Sequence, residues 1–162
     1  MIRPAAAALA LLAGLAGGSR AGGPSAFAIA PAAQTELRAL WSGSMAAKLE
    51  RVACLASLID GDTLRIVRVQ PLDAGADSVA VSAQASLETC GPPAWQGTVH
   101  THIAQAGGAP AYRYFSGADR GVMLMWWQRW KADGTFCLLY AENEVHCEID
   151  GSRLVILPSG RY

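Results

Sequence analysis

The feature that most constrains the fold of this sequence is a tight turn between two stretches of strand-forming residues. Asp60-Gly61 separates Arg51–Ile59 from Thr63–Val69, and both flanking stretches are rich in apolar residues. Asp-Gly is a favoured two-residue hairpin turn, because glycine adopts a positive φ without a steric clash. The pattern therefore predicts an antiparallel β-hairpin, and with it a domain built around a β-sheet.

Helical and strand patterns follow one another along the rest of the chain. Apolar residues recur at the spacing of one helix face in Ala32–Ala47 and in Gly117–Lys131, which predicts two main helices. Further strands are predicted at Ser78–Leu87, Gly97–His102, Thr135–Ala141, Glu144–Asp150 and Arg153–Leu157, with irregular segments at Gly22–Pro31 and Gln70–Asp77. The expected fold class is α+β, with a central mixed sheet flanked by the two helices.

The N-terminal residues differ in composition from the remainder. Arg3 precedes the apolar and small residues Ala5–Gly17, and Ser19-Arg20-Ala21 or Ala26-Phe27-Ala28 offers a cleavage site. We predict a secretory signal peptide at 1–25 and one domain at 26–162, hence an exported or periplasmic location. The alternative is an Ala/Gly-rich leader on a cytoplasmic protein. The apolar run is too short for a spanning helix, so we expect no transmembrane anchor.

The balance of charges argues against one class of partner. Thirteen Lys and Arg residues match thirteen Asp and Glu residues, so the formal net charge is zero. No basic patch with interleaved aromatic residues is visible, and nucleic-acid binding is therefore not expected.

Four cysteines could be thiols or disulfides. No two of them form a CxxC pair, which argues against a zinc ribbon; they are Cys54, Cys90, Cys137 and Cys147. In an exported protein they permit three disulfide pairings, whereas in the cytosol free thiols are expected. A left-handed Asn143 would place Cys137 opposite Cys147 in a terminal hairpin. We expect two buried thiols there, since directly opposed strand positions strain a disulfide.

Two of the three histidines form the motif His100-Thr101-His102. Residues two apart on a strand point to the same face, so both imidazoles can reach one metal ion. Zinc accepts histidine nitrogen and carboxylate oxygen, and a catalytic zinc keeps one position for water. Asp119 is the best candidate for a third ligand. A compatible interpretation is that Ser116 and Asp119 cap the helix that begins between them.

Together these segments resemble a known enzyme signature. A glutamate at the head of a strand (Glu50), the H-[ST]-H pattern of His100–His102 and the S-x-x-D pattern of Ser116–Asp119 are similar to the motifs of the JAMM (MPN+, JAB-domain) zinc metalloproteases of prokaryotic type. The resemblance extends from about Phe27 to the C-terminus, in the order helix, Glu-headed strand, hairpin, HxH strand and SxxD helix.

The resemblance implies a fold, an activity and roles for five residues. It implies a single MPN/JAB-type domain and a zinc-dependent metallopeptidase that hydrolyses a peptide or isopeptide amide bond. His100, His102 and Asp119 would bind Zn²⁺, Glu50 would be the general base, and Ser116 would hydrogen-bond the oxyanion. The implied partner is a peptide or protein substrate, for example the tail of a ubiquitin-like or sulfur-carrier protein. It leaves the oligomeric state unspecified.

Some features depart from the family pattern or leave alternatives open. Ile103 stands where the family has proline, and thirteen residues, more than usual, separate His102 from Ser116.

Glu88 is the alternative general base, and His146 is expected to be structural. The competing functions are a non-catalytic MPN-type module and a small secreted binding domain stapled by disulfides.

Overall fold

The structure is a computed structural model that describes residues 22–72, 79–103 and 111–162. Those ranges contain three helices, α1 (Pro31–Ala47), α2 (Val79–Thr89) and α3 (Gly117–Trp130). They also contain eight strands: β1 (Ala26–Ile29), β2 (Val52–Asp60), β3 (Thr63–Pro71), β4 (Gly97–Thr101), β5 (Gly134–Ala141), β6 (Glu144–Asp150), β7 (Val155–Ile156) and β8 (Gly160–Arg161).

All eight strands belong to one mixed sheet. The strand order is β1-β3-β2-β4-β5-β6-β7, and β8 also pairs with β6. The predicted hairpin is confirmed, since β2 and β3 are antiparallel, Asp60 pairs with Thr63 and Gly61 has a φ of 59°. The pairs β1–β3 and β4–β5 are parallel. The α+β fold class and the mixed sheet are thus confirmed.

Helices cover both faces of the sheet. The alternation along β5 divides its side chains between the two faces, because successive strand residues point in opposite directions. Cys137 and Leu139 join the larger core cluster that packs under α1. Phe136 and Leu138 join a smaller cluster with Met123 and Trp126 of α3, together with Phe115. The candidate metal ligands lie on this second face.

Several predicted elements differ from those observed. The strand predicted at Ser78–Leu87 is wrong, because this segment forms helix α2 instead. Its apolar alternation resembles a strand, but its alanines have high helix propensity, and the helix packs against β2 and α3. The domain therefore has a third helix. The irregular segment predicted at Gly22–Pro31 contains β1, and the strand predicted at Arg153–Leu157 is reduced to the two residues of β7.

Three parts of the chain lie outside the described residues, namely 1–21, 73–78 and 104–110. Most of the predicted signal peptide, part of the loop predicted at Gln70–Asp77 and the centre of the connection from His102 to Ser116 fall there. In the ranges that are described, no helix combines the length and the apolar character needed to cross a bilayer.

All four cysteines are paired. Cys54 is bridged to Cys90 and Cys137 to Cys147. The expectation of buried thiols at Cys137 and Cys147 is therefore wrong, although the predicted register and the left-handed Asn143 (φ 60°) are confirmed. The Cα atoms of this pair are 4.1 Å apart. That separation is near the close spacing of a non-hydrogen-bonded strand pair, which brings the two sulfur atoms within bonding reach.

The Cys54–Cys90 bridge is expected to stabilise the domain. It spans 36 residues, so replacing both cysteines with alanine should lower the free energy of unfolding by roughly 2–4 kcal/mol. Replacing Cys137 and Cys147 should cost less, because that bridge spans only 10 residues. Denaturant unfolding measures both effects.

Titration of the unfolded, non-reduced protein should detect no free thiol, and four reactive thiols would contradict both bridges.

Candidate metal centre

Strand β4 brings two imidazoles to the same face of the sheet. His100 lies on β4, and His102 follows the strand's last residue, but its backbone N–H still donates to the Leu139 carbonyl at 2.8 Å. The extended alignment beside β5 therefore continues through His102. As the two-residue spacing predicts, the side chains converge, and their Nε2 atoms are 3.3 Å apart.

The start of α3 supplies the third group. Ser116 is the N-cap residue, and its hydroxyl accepts a hydrogen bond from the Asp119 N–H at 3.3 Å. In return the Ser116 N–H donates to Asp119 Oδ2 at 2.6 Å. This reciprocal capping box is the one that the sequence predicts, and it fixes the direction of the carboxylate. Asp119 Oδ1 is 3.3 Å from His100 Nε2, and Oδ2 is 3.5 Å from His102 Nε2.

The three groups lie close enough together to coordinate one metal ion. Zinc bonds to nitrogen and oxygen ligands are about 2.0–2.1 Å long, so tetrahedral coordination places two ligand atoms about 3.3–3.4 Å apart. The two Nε2 atoms are 3.3 Å apart, and each lies 3.3–3.5 Å from an oxygen of Asp119, Oδ1 for His100 and Oδ2 for His102. His100, His102 and Asp119 also form the one group of three potential ligands found within the described residues. Their chemistry and spacing can therefore hold a divalent ion such as zinc.

A backbone carbonyl sets the tautomer of one ligand. His102 Nδ1 is 2.7 Å from the carbonyl oxygen of Tyr112. A carbonyl oxygen can only accept, so Nδ1 carries a proton and donates it, and in the neutral form of the ring Nε2 is then the nitrogen with the lone pair, facing Asp119 and His100. Such outer-shell hydrogen bonds orient metal-binding histidines. Tyr112 was not predicted, because a backbone acceptor ten residues away leaves no trace in the sequence.

Burial and neighbouring charges adjust the pKa values of the three groups. Burial lowers the pKa of His100 to about 4, with Asp119 opposing the shift, so this imidazole is neutral at pH 7. Burial also opposes the charged form of His102, but the hydrogen bonds that this ring donates to the Asp119 carboxylate and the Tyr112 carbonyl outweigh burial and raise the pKa of His102. The histidines and Ser116 hold the pKa of Asp119 well below its usual range, against the effect of burial. A neutral imidazole and an ionised carboxylate are ligand-competent forms.

The strand register brings Glu50 to the same place. β2 and β4 are antiparallel, with Val52 opposite His100, so continuing the register by two residues aligns Glu50 with His102. A hydrogen bond from the Thr101 N–H to the Arg51 carbonyl, 3.0 Å long, extends the ladder in this direction. Glu50 lines the same cavity as His100 and Asp119.

The electrostatic surroundings of Glu50 differ from those of an ordinary surface carboxylate. The residue as a whole is exposed, yet partial burial of its carboxyl group raises its pKa. The charge of Asp119 acts in the same direction, whereas His102 and the Ile103 backbone oppose the shift.

Glu88, the alternative base, lies elsewhere. It is exposed on α2, where its carboxylate accepts a hydrogen bond from the Gln84 side chain at 3.2 Å. Among the described residues, those that line the cavity beside the metal ligands do not include Glu88. Of the two glutamates, the structure brings only Glu50 to the candidate site.

A cavity of about 410 Å³ is lined by two of the three candidate ligands, His100 and Asp119. It lies between the sheet and helices α2 and α3. Its walls are formed by Glu50, Arg51, Val52, Ala83, Ser86, Thr98, His100, Phe115, Ala118, Asp119, Val122, Met123 and Phe136. The candidate metal centre is therefore open to a ligand rather than enclosed, as a catalytic site requires.

A buried charge network beside the site was also not predicted. Arg120 contacts both carboxylate oxygens of Glu148, with Nη2 2.9 Å from Oε1. The Glu148 side chain is only 2% exposed, and its Oε1 is 2.8 Å from His146 Nε2. His146 is thus structural, as expected. The available signal was the spacing of His146 and Glu148, which puts both on one face of β6.

The comparisons with known proteins do not identify a family for this chain. No protein-family model matches the chain, and no curated protein matches it. Among solved structures, it is similar to the solution structure of protein DSY2949 from Desulfitobacterium hafniense, with a TM-score of 0.47 and 17% sequence identity. The match covers 82% of this chain and 92% of the other. A likeness of this strength carries no information about chemistry, so the function is argued from the residues of the site.

Proposed function

We propose that the chain is a zinc-dependent metallopeptidase of the JAMM type, with an MPN/JAB-type domain, that hydrolyses a peptide or isopeptide amide bond. One observation carries the proposal: His100, His102 and Asp119 can each direct one ligand atom at a single metal ion, beside a cavity that His100, Asp119 and Glu50 line. When bound there, zinc would supply Lewis acidity, which polarises a carbonyl group and lowers the pKa of water.

The other two residues have roles that suit amide hydrolysis. Glu50 would be the general base, taking a proton from the attacking water on its carboxylate and passing it to the leaving amine. Ser116 would donate its hydroxyl hydrogen to the oxyanion of the tetrahedral intermediate. The Ser116 hydroxyl oxygen accepts a hydrogen bond from the Asp119 N–H, so the hydroxyl hydrogen remains available to donate.

The proposed partner is a peptide or protein substrate, for example the tail of a ubiquitin-like or sulfur-carrier protein. We propose an exported location, in keeping with the predicted leader. Two disulfides among the described residues support it, since such bridges persist in oxidising compartments.

The metal content of the purified protein tests the proposal. We expect about one zinc per chain in the wild type and a loss of zinc in His102→Ala, measured by elemental analysis after exhaustive dialysis. His146→Gln changes the one histidine outside the site and should keep its zinc. Circular dichroism checks that each variant is folded. An absence of zinc from the wild type, even after reconstitution, would reject the hydrolase.

One observation favours a second candidate function. The two disulfides are also what a small exported binding domain would use to stabilise a modest core. Such a domain needs neither zinc nor Glu50. A zinc-free wild-type protein that stays folded and has both bridges intact would support this candidate over the peptidase.

A further inference from the structure

The cavity beside the candidate metal centre has two chemically different parts. Glu50, His100 and Asp119 form a polar end, where the proposed chemistry would take place. The remaining wall is predominantly apolar and consists of Val52, Ala83, Phe115, Ala118, Val122, Met123 and Phe136, with the hydroxyls of Ser86 and Thr98. A group that reacts at the polar end would thus have an apolar space directly beside it.

The apolar part is built on firmly packed elements. Phe136 of β5 and Met123 of α3 are 2% and 3% exposed, and both belong to the core cluster on this face of the sheet. The end of α2 is held from two sides. Cys90 is bridged to Cys54 of β2, and its carbonyl oxygen accepts a hydrogen bond from Trp126 Nε1 of α3 at 3.1 Å. These contacts fix the end of α2 in position relative to β2 and α3.

The apolar part offers no partner for a charged side chain. Arg51 is the one Lys or Arg among the described residues that line the cavity. Its guanidinium lies beside Gly43 of α1 and not in the apolar part of the cavity. An anionic group placed deep in the cavity would lose its hydration without a compensating ion pair. An apolar side chain would instead displace water from apolar walls, which is favourable.

We propose that this cavity is a specificity pocket for a large apolar side chain, of leucine, methionine or phenylalanine size, on the substrate residue next to the scissile bond. The inference rests on the proposed peptidase function and narrows its substrate class to peptides and proteins with such a residue, which excludes a tail whose scissile bond follows glycine. The volume of about 410 Å³ lies within the range of small-ligand pockets and exceeds what a glycine or alanine could fill.

The test is a series of internally quenched peptides that differ only at the residues flanking one amide bond, with glycine, alanine, leucine, phenylalanine or aspartate there. For the zinc-loaded wild-type protein, we expect kcat/KM to be roughly 10- to 100-fold higher for leucine or phenylalanine than for glycine. Aspartate should be the poorest. Calorimetric titration of zinc-loaded Glu50→Gln with the same peptides gives Kd values without cleavage, and these should follow the same order.

A variant that fills the pocket and a matched control test whether the cavity causes the preference for large apolar side chains. Val122→Phe places a ring in the cavity and should reduce the preference for phenylalanine over alanine by about 10-fold or more. Leu124→Phe adds the same ring to the same helix at a side chain that is 53% exposed, and should keep the wild-type preference. Zinc content and thermal unfolding confirm that both variants are folded and loaded.

The outcomes separate the pocket from the proposed function. Cleavage with no preference, or with a preference for glycine, would overturn the pocket and leave the peptidase intact. Apolar peptides that bind Glu50→Gln more tightly, with no cleavage of any peptide by the wild type, would support the pocket and count against the peptidase. An equal loss of preference in Val122→Phe and Leu124→Phe would also overturn the pocket.

Discussion

Glu50→Gln is expected to abolish hydrolysis while the protein keeps its zinc. The substitution preserves the size of the side chain but removes the group that takes up and returns a proton. The loss of a general base typically lowers the rate by about 10²–10⁴-fold. None of the three candidate ligands is changed, so elemental analysis should still find about one zinc per chain. The measurement is kcat/KM on a cleaved peptide, beside the metal content of the same preparation.

The second glutamate provides the control. Glu88→Gln makes the same chemical change at an exposed position of α2 and should leave kcat/KM unaffected. The reverse result, with activity kept in Glu50→Gln and lost in Glu88→Gln, would show that the base is wrongly assigned. Zinc loss in Glu50→Gln would instead make Glu50 part of the metal site.

The site residues could be predicted because their arrangement depends on local rules. Two-residue spacing on a strand brings His100 and His102 to one face, and a capping box orients Asp119 within a single helical turn. The position of Glu50 near the two histidines depends in addition on one long-range contact, the pairing of β2 with β4. The sequence alone does not contain that register, which explains why Glu88 remained an alternative until the sheet was known.

Other features depend on contacts between distant segments. The alternation of apolar and polar residues in Ser78–Leu87 fits a strand. Helix propensity and packing against β2 and α3 favour helix α2 instead. The pairing of Cys54 with Cys90 joins residues 36 positions apart, and nothing local distinguishes it from the other pairings. The Tyr112 carbonyl and the Arg120–Glu148 pair likewise require the tertiary structure.

Removing Arg120 is expected to destabilise the whole domain, because it leaves a buried carboxylate without its partner. The guanidinium contacts Glu148, whose side chain is 2% exposed, and lies 3.5 Å from Asp150 Oδ2. Breaking a buried ion pair typically costs 3–5 kcal/mol. Since the Arg120 side chain is 37% exposed, we expect about 3 kcal/mol for Arg120→Ala, or a Tm lower by roughly 10 °C. Thermal and denaturant unfolding measure it.

The pH dependence of this loss identifies its cause. Burial disfavours the charged form of Glu148, but hydrogen bonds from His146 and Arg120 outweigh burial and lower its pKa below 4.5. A lowered folded-state pKa stabilises the protein above the unfolded value, and the contribution disappears as pH falls through the folded-state pKa. The difference between wild type and Arg120→Ala should therefore be largest near pH 7 and shrink under acidic conditions.

Two further variants separate the buried pair from surface charge. Arg161→Ala removes an arginine that is 81% exposed and paired with Glu144, so its effect should stay within about 0.5 kcal/mol. Combining Arg120→Met with Glu148→Leu removes both charges and should recover part of the lost stability, since apolar replacement of a buried pair is often neutral. If Arg120→Ala matched Arg161→Ala at pH 7, the network would contribute no more than an exposed ion pair. A loss that did not depend on pH would point to the lost contact of the Arg120 guanidinium with the Phe115 ring instead of an uncompensated carboxylate.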